Sequence, residues 1–93
     1  MAESAESVES VEIKNLVLSI IRAIVDQPDK VELSVIEGQQ SVVLELSVDP
    51  ADVGKVIGRQ GIHADALRRI IHAVGGKHKR RYLLEILQDG KRF

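Results

Sequence analysis

The first periodic stretch of the chain predicts an amphipathic helix. Its apolar residues recur every three or four positions with polar residues between them, which is the spacing of one helix face. They are Ile13, Leu16, Val17, Ile20, Ile21 and Ile24. We predict a helix over residues 10–26, ended by Gln27-Pro28-Asp29. Leu18 and Val25 lie off this face, so we expect them to be partly exposed unless another element covers them.

Two alternating segments follow and predict a β-hairpin. Apolar and polar residues alternate over 31–35 and again over 42–48, with the turn residues 37–40 between them. A period of two with one apolar face is typical of antiparallel strands that cover a core on one side.

The second half of the chain predicts two helices and a third strand. Either Asp49 as N-cap with Pro50 at the first helical position, or a closely similar arrangement, opens a short helix that runs through Ile57. A longer helix ends at Gly75-Gly76, and residues 81–88 alternate again as a strand. The apolar face of that longer helix consists of Leu67, Ile70, Ile71 and Val74.

The resulting order, α-β-β-α-α-β, predicts an α+β domain. Two strands of one sheet joined through two helices favour a right-handed crossover, which makes the third strand parallel to the second. We therefore predict a three-stranded mixed sheet with three helices on one face. Val43, Leu83 and Leu87 then point to the other face, either as scattered exposed residues or as a partner surface.

Length and composition limit the classes of protein that need to be considered. Ninety-three residues suit one core, which we assign to residues 10–89, after a flexible acidic leader (1–9) and before a short basic tail (90–93). Cysteine is absent, which excludes disulfides and thiolate metal sites. The acidic N-terminus is unlike a signal peptide and no apolar stretch is long enough for a membrane span, so we expect a cytoplasmic protein.

Charge is distributed unevenly along the chain. Residues 1–53 hold three basic and eleven acidic side chains, whereas residues 54–93 hold ten basic and three acidic ones. This division is either a chance split of solvated charges or a positive face directed at a polyanion.

The segment Val56-Ile57-Gly58-Arg59-Gln60-Gly61 is the best candidate for a ligand site. It is either a plain turn between two helices or a clamp on nucleic-acid backbone. Rossmann and Walker loops are excluded by its spacing. In a clamp, glycines without a Cβ let phosphates approach the main chain, while Arg59 and Lys55 add positive charge. Gln60 adds a neutral donor.

These residues resemble the KH domain, in which a Gly-x-x-Gly loop between two helices holds about four nucleotides. The element order is similar to the type II arrangement. The segments Asp26-Gln27-Pro28-Asp29, residues 41–46 and residues 54–61 look like the small bacterial single-KH proteins of the KhpA type. The resemblance covers residues 12–89. At the position after the second glycine, where the family often has a basic residue, this chain has Ile62, followed by His63.

The resemblance implies a non-enzymatic protein that binds single-stranded RNA, as a post-transcriptional regulator or RNA chaperone. It also implies a homodimer and a larger KH-containing partner of the Jag type. The RNA-binding residues would be Gly58, Arg59, Gln60 and Gly61, with Lys55 and Arg68 as further phosphate contacts.

Other candidate sites are weaker. The basic run of residues 77–81 is either a solvated loop or a second phosphate contact, about 20 Å from the glycine loop along a 1.5 Å-per-residue helix. We expect Arg68 and Arg69 to be exposed. His63 and His72 lack the spacing of a metal site, and no catalytic set of nucleophile and base can be assembled. We therefore predict no cofactor and no metal.

Two rivals to RNA binding remain. An adaptor that dimerises through its helical face, with weak or no RNA binding, would use protein as its chief ligand. A DNA-binding helix-hairpin-helix is disfavoured by the glycine spacing and the hairpin. With only Tyr82 and Phe93 as aromatic residues, base stacking of the RRM or OB kind is excluded.

Overall fold

The computed structural model describes residues 7–93 and contains every element that the sequence predicts, with one further strand. The helices are α1 (Val8–Ile24), α2 (Val53–Ile57) and α3 (Ile62–His78). The strands are β1 (Glu32–Glu37), β2 (Ser41–Ser47), β3 (Arg81–Gln88) and β4 (Lys91–Arg92). No helix within residues 7–93 has both the length and the apolar character that crossing a membrane requires.

The sheet is mixed, as predicted, and its strands lie in the order β1-β2-β3-β4. β1 and β2 form the antiparallel hairpin. β2 and β3 are parallel, with Ser41 opposite Arg81 and Leu46 opposite Ile86. The connection through α2 and α3 therefore returns the chain to the edge of β2, in the direction expected for a two-helix crossover.

The prediction of three strands is wrong, because β4 adds a fourth. Asp89 and Gly90 have φ angles of 48° and 80°, the two consecutive positive values of a type I′ hairpin turn, for which Asp-Gly is a preferred sequence. Phe93 donates its N–H to the Ile86 oxygen at 2.9 Å and accepts from the Ile86 N–H at 3.1 Å. Residues 90–93 are thus a turn and a paired strand instead of a tail.

One continuous core lies between the helices and one face of the sheet. The inward strand residues alternate as the period-two pattern requires, and they pack with the buried residues of all three helices. The fully buried members are Val17, Ile21, Val42, Leu44, Leu46, Val56, Ile71 and Ile86. This places the three helices together on one face, as predicted.

The two helix faces are rotated slightly from the predicted stripes. Val25, expected to be partly exposed, is buried at 8% exposure, and Leu18 packs against the core. Leu16 and Ile70, which belong to the predicted stripes, are 45% and 50% exposed. The buried line of α1 runs through Ile13, Val17 and Ile21, so residues on its flank face outward.

α1 begins at Val8, two residues before the predicted start. Ser7 is its N-cap, and the Ser7 hydroxyl accepts from the Ser10 N–H at 3.2 Å. The Ser7 N–H in turn donates to Glu37 Oε1 at 2.9 Å. Ser7, Val8 and Glu9 therefore belong to the domain; the rest of the predicted leader lies outside the described residues.

α3 does not end at Gly75-Gly76 but continues to His78. Gly75 is buried, and a Cβ on it would lie 2.4 Å from the Arg80 carbonyl oxygen. Lys79 supplies the left-handed cap, with φ 59°. The first glycine therefore marks close approach of the chain leaving the helix, rather than the helix end itself.

Candidate nucleic-acid interface

The short helix α2 is fixed from its N-terminal side. The Asp49 carboxylate accepts from the Ala51 N–H at 2.9 Å, and Pro50 occupies the first position of the 3₁₀ turn Pro50–Asp52. This confirms Asp49 as a cap. The Asp52 side chain, directly before α2, does not accept a hydrogen bond from that helix.

Asp52 instead ties α2 to the segment that leaves α1. It is 1% exposed and accepts from the N–H groups of Asp26, at 3.3 Å, and Gln27, at 3.0 Å. Two main-chain donors just beyond the end of α1 are satisfied in this way. A helix of five residues cannot be stable alone, so this anchor and the packing of Val56 decide where α2 and the following loop stand.

The glycine loop has an unusual main chain. Gly58 has φ 79° and ψ 167°, Gln60 has φ 57° and Gly61 has φ 77°. The Gly58 conformation is open only to glycine, and the left-handed one at Gln60 is costly for a residue with a side chain. The Gly61 N–H donates to the Gly58 oxygen at 3.0 Å, and this bond closes the turn that leads into α3.

His63 contacts this loop, a role that the sequence did not reveal. Its Nδ1 lies 2.7 Å from the Lys55 carbonyl oxygen. A Cβ added to Gly58 would lie 2.7 Å from both Cγ and Nδ1 of the same ring. Gly58 is therefore required by its φ angle and by the imidazole beside it, whereas Gly61 has open space and is required by its φ angle alone.

Lys55 lies next to the loop but has a partner. Its Nζ is 2.8 Å from Asp26 Oδ2, and the two side chains are 48% and 69% exposed. The hydrogen bond from Lys55 to Asp26 and the charge of that carboxylate raise the pKa of Lys55. An exposed pair of this kind contributes little to stability, so the ammonium can leave Asp26 at small cost.

Arg59 and Gln60 are exposed at the tip of the loop. Neither has a side-chain hydrogen bond or ion pair to any other part of residues 7–93. Arg59 thus differs from Lys55, since its charge has no partner among residues 7–93. The structure brings these two residues together with Gly58, Gly61 and Lys55, as the sequence predicted.

Arg68 is not the exposed cation that we expected. Its Nε and Nη2 donate to the Leu84 oxygen at 3.2 and 3.0 Å, and Nη2 also donates to the Phe93 oxygen. The guanidinium is partly buried and links α3 to β3 and to the end of the chain. Arg69, the neighbouring residue, is exposed and pairs with Asp65 at 3.0 Å.

The basic run of residues 77–81 is divided between two roles. Arg80 donates from Nη1 to Glu37 Oε2 at 2.6 Å and from Nη2 to the Gly38 oxygen at 2.6 Å. Its side chain is only 16% exposed, and its charge is paired with the Glu37 carboxylate within the fold. Lys77, Lys79 and Arg81 are exposed.

The interactions that sequence reasoning missed join residues far apart in the chain. Glu9 accepts from the Tyr82 hydroxyl at 2.8 Å, and Glu37 accepts from Arg80. No local pattern predicts such pairs. The same holds for His63, which reaches the Lys55 carbonyl oxygen from the first turn of α3.

Comparison with known proteins gives a consistent result. Residues 14–86 match the family described as KhpA/KhpB, KH domain. A protein from Aquifex aeolicus named RNA-binding protein KhpA is 50% identical over 76 residues, which cover 82% of this chain and 96% of the relative. Proteins of the same name from Caldanaerobacter subterraneus and Borreliella burgdorferi are each 49% identical over 72 residues, or 77% of this chain, and these residues cover 96% and 88% of the relatives.

No solved structure matches the chain. The family match spans α2, the glycine loop and α3, together with β1 to β3. The chain therefore belongs to the KhpA/KhpB family of KH domains.

Proposed function

We propose that this protein binds single-stranded RNA and holds the RNA backbone with the loop Gly58-Arg59-Gln60-Gly61. The observation that carries the proposal is that Arg59 and Gln60 lie exposed, with no side-chain partner in residues 7–93, on a loop of three positive φ angles. The relatives from three bacteria that are named RNA-binding proteins support the choice of RNA.

Each residue of the loop has a distinct task in this proposal. The glycines leave room for a phosphate against the main chain, and N–H groups at the start of α3 favour an anion there. The Arg59 guanidinium pairs with a phosphate, and Gln60 donates from its amide. Lys55 exchanges Asp26 for a second phosphate, since the exposed pair is weak.

Arg68 has no part in the proposed clamp, because its guanidinium already bonds two main-chain oxygens. Binding therefore rests on few cations. Affinity for a short RNA is modest as a consequence, since each phosphate neutralised contributes a limited electrostatic term.

The test is the double change Arg59→Asp and Gln60→Asp, which reverses the charge of the loop and keeps both glycines. We expect binding to a fluorescent single-stranded RNA library of random sequence to weaken by about tenfold or more, as the loss of a charge-assisted contact predicts. Fluorescence anisotropy measures the affinity, and circular dichroism checks the fold.

The matched control carries the same change of charge at the other end of α3. Lys79→Asp with Gln39→Asp replaces two exposed residues, and aspartate tolerates the left-handed φ of 59° at position 79. We expect it to bind RNA nearly as well as the wild type. An equal loss in both double variants would assign binding to the overall charge and overturn the clamp.

A second function, self-association through the helical face, is favoured by a separate observation. A mostly apolar groove between α1 and α3 is lined by Ile13, Leu16, Ile70, Ala73 and Val74, together with Glu9, Glu12, Lys77 and His78. Leu16 and Ile70 are about half exposed, although both are large and apolar. We infer that a second copy covers this groove in a two-fold homodimer, which places the same patch against itself.

The dimer is tested by sedimentation of Leu16→Asp and Ile70→Asp. Burying a carboxylate in an apolar contact is costly, so we expect both variants to sediment as monomers at concentrations where the wild type is a dimer. Wild-type protein that is monomeric at all concentrations contradicts the dimer and leaves the RNA clamp untouched. In a dimer, two weak clamps raise the avidity for one RNA strand.

We place this binding activity in the cytoplasm, without catalysis, as a post-transcriptional regulator or RNA chaperone. The larger Jag-type KH protein is the second partner that the resemblance predicts. Crosslinking of RNA and protein to the tagged chain in living cells tests both expectations. Recovery of neither RNA nor such a protein contradicts this role.

A further inference from the structure

His63 occupies an unusual position for a polar residue in the first turn of a helix. Its Nδ1 lies 2.7 Å from the Lys55 carbonyl oxygen in the last turn of α2. A carbonyl oxygen only accepts, so Nδ1 must carry the hydrogen of this bond. The histidine of α3 is therefore a donor to the C-terminus of the preceding helix, across the whole loop.

The Lys55 carbonyl is one of the oxygens that a helix end leaves without an intrahelical partner. The last bond of α2 runs from the Gly58 N–H to the Gly54 oxygen at 2.8 Å, so the Lys55 oxygen is the next carbonyl in line. His63 supplies the missing donor. The same ring also lies on the main chain of Gly58, where a Cβ would stand only 2.7 Å from it.

The loop needs such support because its conformation is costly. Three of its four residues have positive φ angles, and at Gln60, which has a side chain, the left-handed conformation is strained. α2 has only five residues and offers little rigidity of its own. A tether from α3 to α2 that also fills the space against Gly58 restricts the loop from both sides.

We propose that His63 is a positioning residue for the RNA clamp, acting through the Lys55 carbonyl and Gly58 and not through contact with RNA. The inference rests on the proposed function of the loop, and it adds the residue that sets the loop's shape. The main contribution of the side chain is the hydrogen bond donated by Nδ1, and a second contribution is the packing of the ring against Gly58.

Two substitutions separate the donor from the bulk. His63→Asn keeps an N–H donor close to the position of Nδ1, whereas His63→Leu keeps an apolar side chain of similar reach and has no donor. His63 is exposed in the wild type, so we expect both variants to fold. With one hydrogen bond lost, RNA affinity of His63→Leu falls about fivefold to tenfold, and His63→Asn recovers most of it.

Amide NMR spectra provide a readout that does not depend on RNA. We expect the N–H signals of Gly58 and Gly61 to shift or broaden in His63→Leu and to return toward wild-type positions in His63→Asn. Thermal unfolding of the three proteins, followed by circular dichroism, shows that the effect is on the loop and not on global folding.

The outcomes distinguish the two proposals. If wild type and His63→Leu bind RNA equally and their glycine signals coincide, the positioning role is overturned while the clamp stands. If the wild type binds no RNA, the clamp fails, and the glycine signals alone decide the role of His63. A loss of affinity in His63→Leu that His63→Asn does not recover also overturns the proposal, because it removes the donor from the explanation.

Discussion

The two ends of α3 carry similar residues and use them in opposite ways. The loop end, residues 55–63, has two glycines and the cations Lys55 and Arg59. The closed end, residues 75–82 with Glu9 and Glu37, has two glycines and a basic run. At the loop end the glycines have positive φ angles and Arg59 is exposed without a partner in residues 7–93. At the closed end Gly75 is helical and buried, and Arg80 is paired.

The difference shows that partners, not charge density, decide what a cation does. The closed end has the denser basic run, yet Arg80 bonds Glu37 and the Gly38 oxygen. Glu9 adds a second carboxylate, 3.6 Å from Arg80 Nη1. The loop end has fewer cations, and one of them, Arg59, forms no ion pair with any carboxylate of residues 7–93. Lys77, Lys79 and Arg81 at the closed end are also exposed, so the proposed preference of RNA for the loop end depends on the main chain of the glycine loop as well as on Arg59.

The largest expected effect is on the closed end, from Gly75→Ala. The new Cβ would lie 2.4 Å from the Arg80 main-chain oxygen and 3.2 Å from the Tyr82 ring. Main chain cannot move aside as a flexible side chain does, so we expect the free energy of unfolding to fall by about 3 kcal/mol. Chemical denaturation of the purified variant measures it.

Gly76→Ala is the matched control, one residue further along the same helix. A Cβ there meets no atom within 4 Å, and alanine is a better helix former than glycine. We expect a gain in unfolding free energy of about 0.5 kcal/mol. If the two substitutions have equal effects, close approach at Gly75 is not the reason for its glycine.

The next effect is on the loop end, from Gly58→Ala. The substitution forces alanine into a conformation that only glycine adopts and directs its Cβ at the His63 ring. We expect a loss of unfolding free energy of about 2 kcal/mol and a loss of RNA binding. Gly61→Ala, with the same sign of φ but open space, should cost about 1 kcal/mol.

A double-mutant cycle separates the two causes at Gly58. In a His63→Ala background the ring is absent, while the φ penalty and the 2.9 Å approach of the new Cβ to the main-chain nitrogen of residue 63 remain. Gly58→Ala should therefore cost about 1 kcal/mol less there than in the wild type. An identical cost in both backgrounds would show that the ring does not restrict the loop main chain.

The fold was largely predictable from local pattern, and the errors have physical causes. Periods of two and of 3.6 located α1, α3 and the first three strands, because burial on one face requires them. The start signal Asp49-Pro50 located α2. β4 was missed although Asp89-Gly90 is a strong hairpin signal, since the strand after it has only two residues. The end of α3 was misplaced because a glycine can also be required where another part of the main chain comes close, and that requirement depends on tertiary contacts.

The glycine loop of the candidate site could be predicted from the sequence, but the partners of the charged residues around it could not. The loop itself follows from residues 56–61, which are contiguous. That Asp26 pairs with Lys55 and that Arg68 bonds the oxygens of Leu84 and Phe93 depends on residues 16 to 29 positions away. Only the folded chain brings such groups together, and these pairings decide which cations are left for a ligand.

The closed end is expected to respond to acid through Glu37. Burial raises the pKa of Glu37, but hydrogen bonds from Arg80 and Ser7 lower it by more, so the net pKa lies below the ordinary 4.5. A lowered folded pKa gives stability that is present above about pH 4.5 and lost as the pH falls through the folded value. Over this range the unfolding free energy of Glu37→Gln should depend less steeply on pH than that of the wild type. Because only one titrating group is removed, the two slopes should differ by less than about 1.4 kcal/mol per pH unit. Glu32→Gln, on an exposed residue of the same strand, is the control and should keep the wild-type dependence.

The smallest effect concerns salt and bears directly on the difference between the two ends. For single strands the logarithm of affinity falls by about 0.7 per phosphate neutralised for each unit of log salt. A clamp that uses Arg59 and Lys55 therefore predicts a shallow slope of about −1.4 for the wild type. Arg59→Ala should reduce its magnitude by about 0.7, whereas Lys79→Asn at the closed end should leave it unchanged. A steep wild-type slope that Lys79→Asn reduces would mean that exposed cations at both ends contact RNA. The RNA strand would then have to follow the full length of α3, which at 17 residues and 1.5 Å each is about 25 Å.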